Sequence, residues 1–380
     1  MRVAVIFTGI GVLPERRNNV SGHVQIPLKT CELLQQAGHN VTLIATRQDD
    51  GKAMPACLPE NVPVKIVTDG RKRGQFGKQN YKSGYHLFAL FRQIRETLKH
   101  IRECDADIVH VFGFERMVKF GGLLKMLGRR PVVVTLLGQK PSSKWRMLYN
   151  RVDRIFCLTK NVASGWSGFG SKVRVIYPGV VKDLGDPNAG STPPERDRVL
   201  FWREASMMGG ADLCLEAYDE LASRFPNIKF DFAVRRNKDE VPGVDELAEK
   251  HPNVNVHRFP YEDGMTLEWL MARTLVTVLP YRALTIEPQL AVVETLAAGC
   301  PVICTDIKSL PELVIDGQNG WTVPGEDSQK LTAAIENALN NPELLEKMHN
   351  TVADDFRSRW NWDNYSSELQ KSYKEHIRSS

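Results

Sequence analysis

The chain has 380 residues, 42% hydrophobic and 25% charged, an ordinary globular composition that is too long for a single hydrophobic core, so two domains are expected. No apolar run approaches the ~18 residues that cross a bilayer, and seven scattered cysteines without paired spacing argue against a disulfide scaffold or a zinc site. The net charge of +5 hides an imbalance: residues 1–180 hold 29 Lys and Arg against 12 Asp and Glu, while residues 181–380 hold 21 against 33. A basic first half points to an anionic partner, and the absence of a recognition motif or interleaved aromatic-basic pattern argues against nucleic acid.

In chain order, short apolar runs alternate with amphipathic stretches. Met1–Phe7 reads as a strand rather than a leader, because Gly9, Gly11 and Pro14 cut the apolar run short. Strands are expected at 3–7, 41–45, 64–67, 108–111, 132–136, 154–158 and 173–176, with helices such as 24–36 and 85–103 between them. Residues 183–197, rich in turn formers, read as a linker. Beyond it, strands are expected at 198–202, 229–234, 254–257, 275–279, 301–304 and 320–323. This repeated alternation implies two parallel, doubly wound sheets with ligands at their carboxyl edges, facing each other across a cleft.

Several residues carry chemistry in this frame. Glu294 sits within Leu290-Ala-Val-Val-Glu-Thr-Leu-Ala-Ala-Gly299, a helix ended by a glycine suited to a left-handed cap. A carboxylate among apolar neighbours needs a partner, and a ribose diol, with two hydroxyl donors, suits it better than a structural helix-capping role. Gly22 opens a helix whose free amides suit a phosphate, or it is a simple turn glycine. Arg203 follows a strand, where a guanidinium can fork onto diphosphate oxygens or pair with a nearby acid. His110 ends a strand, where a satisfied structural histidine is a plainer reading than a catalytic base.

In order along about 360 residues, Ser21-Gly22 with Gly38-His39, Asp107-Ile-Val-His110, Ile176-Tyr-Pro-Gly179, Arg203, the segment around Glu294 and Trp360-Asn-Trp362-Asp resemble the retaining glycosyltransferases of family 4. That resemblance implies the GT-B fold: an N-terminal acceptor domain at 1–182, a linker at 183–197, a nucleotide-sugar domain at 198–355, and a helix at 356–380 returning to the first domain. It implies transfer from a nucleotide-sugar donor to a glycan or lipid-linked acceptor, without metal or other cofactor, at the cytoplasmic side. Donor contacts fall on Gly22, Arg203, Arg235, Glu287, Leu290, Ala291 and Glu294, with Arg203 and Glu287 as the catalytic pair and Leu137 and His110 in the sugar pocket. A non-catalytic nucleotide- or glycan-binding protein of the same fold is the alternative.

Three departures qualify the resemblance. The family's phosphate-clamping lysine is replaced by Met208 or Gly209; Arg235 or Arg236 supplies the missing charge, or both are solvated turn residues. The first of two paired glutamates falls at Ile286, one place from Glu287, and Leu137 stands where the family has a histidine near the sugar's sixth carbon. An apolar residue there suits a 6-deoxy sugar or a differently held hexose. In the basic first half, Gly70–Lys82, the helix at 85–103 and the stretch 115–130 are candidates for an anionic membrane surface, although packing on the sheet is the plainer account of the apolar faces of both helices.

Overall fold

The computed structural model of the chain describes residues 1–8, 22–49, 58–72, 83–185, 194–235, 240–261 and 264–378. It divides into two compact units, Met1–Val181 with Trp362–Ser380, and Lys182–Asn361.

The first unit is a seven-stranded sheet: β1 (Arg2–Thr8), β2 (Asn40–Asp49), β3 (Val64–Lys72), β4 (Ile108–Gly113), β5 (Val132–Leu136), β6 (Arg154–Cys157) and β7 (Val173–Val175). Every pairing is parallel and the order is β3-β2-β1-β4-β5-β6-β7, so the winding reverses between β1 and β4. β4 and β5 are buried along their whole length, as expected of parallel strands covered on both faces. The helix Glu115–Gly128 packs Met117, Val118, Phe120 and Leu124 into this core. The helix Ser83–Glu103 buries Ile94 and Ile101 but leaves Leu90 and Phe91 exposed.

The second unit repeats the plan with β8 (Arg198–Glu204), β9 (Lys229–Arg235), β10 (Val254–Phe259), β11 (Thr274–Leu279), β12 (Val302–Thr305) and β13 (Gly320–Val323), all parallel. Its order, β10-β9-β8-β11-β12-β13, reverses between β8 and β11. Strands at all thirteen expected positions are present, because their apolar runs are bounded by turn residues on both sides.

The return to the first unit is shorter than expected. Two helices, Pro342–Arg359 and Trp362–Arg378, occupy the C-terminal region, and only the second joins the first unit. Phe356 and Trp360 stack in parallel with centroids 5.5 Å apart and are buried, which keeps residues 356–361 with the second unit. In the first unit, the Trp362 indole N–H donates to the Val180 carbonyl (2.8 Å), and Tyr365 and Tyr373 are fully buried.

Candidate donor site on the second unit

The reversal between β8 and β11 leaves a crevice position at the carboxyl edge of the second sheet, where open α/β sheets hold their ligands. Four pieces of chain build that edge. β8 (Arg198–Glu204) carries Arg203 one residue before its end, where it is exposed. The 206–210 turn after it ends at Gly210 (φ +75°); a side chain there would lie 2.0 Å from the Pro280 carbonyl, so only glycine lets the turn sit against the end of β11. The Arg282 backbone N–H donates to the Met208 carbonyl (3.1 Å), and the Arg282 guanidinium pairs with Asp212. The loop after β11 is held by the Thr305 hydroxyl, which donates to the Tyr281 carbonyl (2.6 Å), and by the Lys308 ammonium on the Leu284 carbonyl.

The helix Leu290–Ala297 follows and is buried along its whole length. The amides of Val292 and Val293 bond back to the Gln289 carbonyl, whereas those of Leu290 and Ala291 are first-turn donors with no acceptor inside the helix. The helix ends as expected: Gly299 takes φ +79°, and the amides of Gly299 and Cys300 close on Leu296 and Thr295. The Trp202 indole donates to the Thr295 hydroxyl (3.0 Å), tying the helix to β8. At its other end the Arg357 guanidinium donates to the Ala297 carbonyl (2.7 Å), and the His349 ring nitrogens lie 2.9 Å from the carbonyls of Gly299 and Leu275.

Glu294 lies in this helix and is 7% exposed. Burial pushes its carboxyl up to about 7, and the Arg203 guanidinium and Lys182 pull it back down, the Lys182 backbone amide facing the carboxylate. Tyr281 is buried beside Arg203, Glu294 and Gln289, and burial pushes its phenol up to about 12. Glu287 is buried too, at 4% exposure. The structure therefore brings Arg203, Glu294, Leu290, Ala291 and Glu287 to one edge of one unit. It adds Lys182, which sequence reasoning missed; its ammonium pairs with Glu268 at 3.1 Å.

Other expected residues fall elsewhere. Arg235 is aligned with Glu204 on β8, one residue past Arg203, so its side chain leaves the opposite face of the sheet. There it stacks over Phe259 (4.9 Å). Arg236 and the 73–82 segment lie outside the described residues. Gly22 opens the helix Gly22–Gln36 of the first unit. Leu137 is buried just past β5, with its amide on the Gly113 carbonyl (2.9 Å).

The assignment of His110 to a sugar pocket needs correction. It is fully buried in the middle of β4, with Nδ1 on the Tyr373 hydroxyl and Nε2 2.7 Å from the Thr135 hydroxyl. Burial pushes its pKa down to about 3. With both nitrogens engaged inside the core, it has no ring atom left for a sugar.

Two Rossmann-like units, the C-terminal helix belonging to the first, constitute the GT-B fold. Residues 20–184 match the family described as Glycosyltransferase Family 4, and residues 186–354 match Glycosyl transferases group 1. The chain is a GT-B-fold glycosyltransferase related to these families. It is 24% identical over 385 aligned residues to the phosphatidyl-myo-inositol mannosyltransferase of Mycolicibacterium smegmatis, with 96% of this chain and 93% of that protein covered. A glycosyltransferase from Rickettsia africae superposes with a TM-score of 0.74 at 15% identity, covering 100% of this chain and 99% of that one. Anabaena HepE, solved in complex with UDP-glucose, gives 0.69 at 15% identity, covering 99% and 100%. The chain thus resembles nucleotide-sugar-dependent glycosyltransferases that act on glycan or lipid acceptors.

Two further observations bear on partners. Among the described residues, no group of three or more His, Cys, Asp or Glu is placed to hold a metal ion. Among them, too, no helix is long and apolar enough to cross a membrane.

Proposed function

We propose that the chain transfers a hexose, with retention of configuration, from a nucleoside diphosphate sugar held on the second unit to a glycan or lipid-linked acceptor held on the first. The observation that carries this reading is the buried Glu294 carboxylate at the edge where the sheet reverses, flanked by Arg203 and Lys182. Glu294 accepts the ribose hydroxyls. Arg203 and the first-turn amides of Leu290 and Ala291 receive the diphosphate, and Glu287 receives the sugar hydroxyls. HepE's complex with UDP-glucose supports a nucleotide sugar as the donor class, and the mannosyltransferase relative supports a lipid-linked acceptor.

In the transfer, the bond from the anomeric carbon to the diphosphate oxygen breaks, and a bond to the acceptor oxygen forms on the same face of the sugar. The acceptor proton passes to the departing phosphate. The protein supplies position and charge, and no side-chain base is required. Lys182, on the Glu294 side of the edge, takes the part of the lysine missing at Met208; Arg235, on the opposite face, is poorly placed for it. Arginine and lysine neutralise the leaving group, so transfer is assigned as metal-independent. The basic first half, with 29 Lys and Arg against 12 acids, is assigned to an anionic membrane surface at the cytoplasmic side.

The test is a thermal-shift screen of nucleoside diphosphates and their sugars, followed by transfer or donor hydrolysis with the best binder, with and without EDTA. Stabilisation of the wild type but not of Glu294→Ala supports the pocket. Binding without turnover overturns transfer in favour of a binding protein, and loss of turnover in EDTA overturns metal independence.

A further inference from the structure

Ile94 and Ile101 on the helix at 83–103, and Met117, Val118, Phe120 and Leu124 on the helix at 115–128, pack inward, yet another part of the first unit combines exposed apolar side chains with dense positive charge. After β5 the chain runs through Gln139-Lys-Pro-Ser-Ser-Lys-Trp-Arg-Met147, which holds three cations and no acid. Residues 142–147 are all exposed, Trp145 at 38% and Met147 at 69%. The segment is not loose: Leu148 and Tyr149 anchor its end in the core, and the Arg146 guanidinium donates to the Gly168 carbonyl (2.8 Å).

Two ammonium groups flank the Trp145 ring, Lys119 at 5.3 Å and Lys144 at 5.5 Å from its centroid. Glu115, on the neighbouring helix, is already engaged by Lys119 (3.0 Å) and by the Tyr149 hydroxyl. Arg116 and Lys140 are exposed nearby in sequence. An exposed indole flanked by two ammonium groups, with an exposed thioether two positions further on, matches the layered chemistry of an anionic bilayer interface. Tryptophan favours the headgroup level, an apolar neighbour reaches below it, and cations meet lipid phosphates. The segment also follows the carboxyl end of β5, the edge of the first sheet where a ligand of that unit is expected.

We propose that Lys140–Met147, with Lys119, is an interfacial anchor that seats the first unit on an anionic lipid surface, inserting Trp145 and Met147 between headgroups. This deepens the membrane-surface reading given above and rests on it for the partner class. The sequence pointed instead to 70–82 and to the two helices, because helical periodicity is visible in a sequence and the exposure of Trp145 and Met147 on a short turn is not.

Flotation of the full chain with phosphatidylglycerol/phosphatidylcholine vesicles and with phosphatidylcholine alone, at two salt concentrations, tests the anchor. The expected result is flotation with the anionic vesicles only, weakened by salt. Trp145→Ser/Met147→Ser lowers the vesicle partition coefficient about tenfold or more, and Lys140→Gln/Lys144→Gln lowers it about fivefold per lysine. Phe91→Ser, on the exposed part of the 83–103 helix, leaves it unchanged. Melting midpoints of all variants, expected to equal the wild type's, separate lost binding from lost folding. Failure of the wild type to float, equal binding to neutral vesicles, or loss of binding in Phe91→Ser with retention in the Trp145/Met147 variant each overturns the anchor. Flotation needs neither donor nor acceptor, so a failure of sugar transfer does not enter the result. Transfer to a water-soluble acceptor by a chain that does not float overturns the anchor alone.

Discussion

The two sheets are wound alike, each reversing after its third strand, yet they bury their ionisable groups to opposite effect. In the first, His110 lies mid-strand with both ring nitrogens on hydroxyls, and burial holds it neutral. In the second, Glu294 lies beyond the strands, on the helix that follows β11, where burial raises its carboxyl to about 7 and two cations oppose the shift. A buried polar group whose hydrogen bonds are complete holds a core together. A buried charge only partly compensated, at the edge where ligands enter, is poised to receive something.

The contrast can be broken experimentally, and the largest effect is expected at Arg203. Replacing it with alanine should lower kcat/KM by roughly 10²- to 10³-fold, the usual loss when one donor to a developing negative charge is removed. The ligand-free melting midpoint should fall slightly at pH 8, where Arg203 opposes the burial of the Glu294 charge, and should not move at pH 4. A loss of only a few fold would return Arg203 to the role of a surface residue.

Glu294 sharpens the contrast through pH. If its carboxylate accepts both ribose hydroxyls, nucleotide affinity should rise roughly tenfold between pH 6 and pH 8, following ionisation near 7, and Glu294→Gln should remove that dependence. Stability runs the other way. The folded value lies above the unfolded value of 4.5, so the burial penalty is absent below that pH and grows as pH rises through 7. Glu294→Gln should therefore be more stable than wild type at pH 8, by on the order of 3 kcal/mol, and no more stable at pH 4. Denaturant titrations at the two pH values measure this directly.

The His110 cluster should behave as its opposite. Tyr373→Phe removes the hydroxyl on Nδ1 and should cost about 1–3 kcal/mol, seen as a lower melting midpoint with nucleotide affinity unchanged. Because the folded His110 value lies far below its ordinary 6.5, the cluster's contribution should be present above pH 6.5 and fall away as pH drops toward 3. The smallest effect is expected at Leu137, where Leu137→His should shift the preference between glucose and 6-deoxy donors by a few fold. Equal ratios in variant and wild type would remove Leu137 from the sugar pocket.

Much of this was readable in the sequence. Parallel strands covered on both faces leave unbroken apolar runs such as Val132–Leu136, and a glutamate inside Leu290–Ala297 stands out because nothing else there is charged. What could not be read depends on register and chain path. Arg203 aligns with Val234 rather than Arg235, a one-residue matter that turns Arg235 to the other face. Lys182 reaches Glu294 from a turn-rich connection with no periodicity to reveal it. His110 is satisfied by a hydroxyl 263 positions further on, a pairing with no local trace.

The return of Trp362–Ser380 to the first unit has a consequence for synthesis. A ribosome delivers the seven strands of the first sheet, then Lys182–Asn361, before Tyr365 and Tyr373, which are buried in the first unit. Lys182–Asn361 is complete before then, so the unit begun first is finished second. Until residue 373 clears the exit tunnel, the nascent first unit lacks the hydroxyl that meets His110 Nδ1.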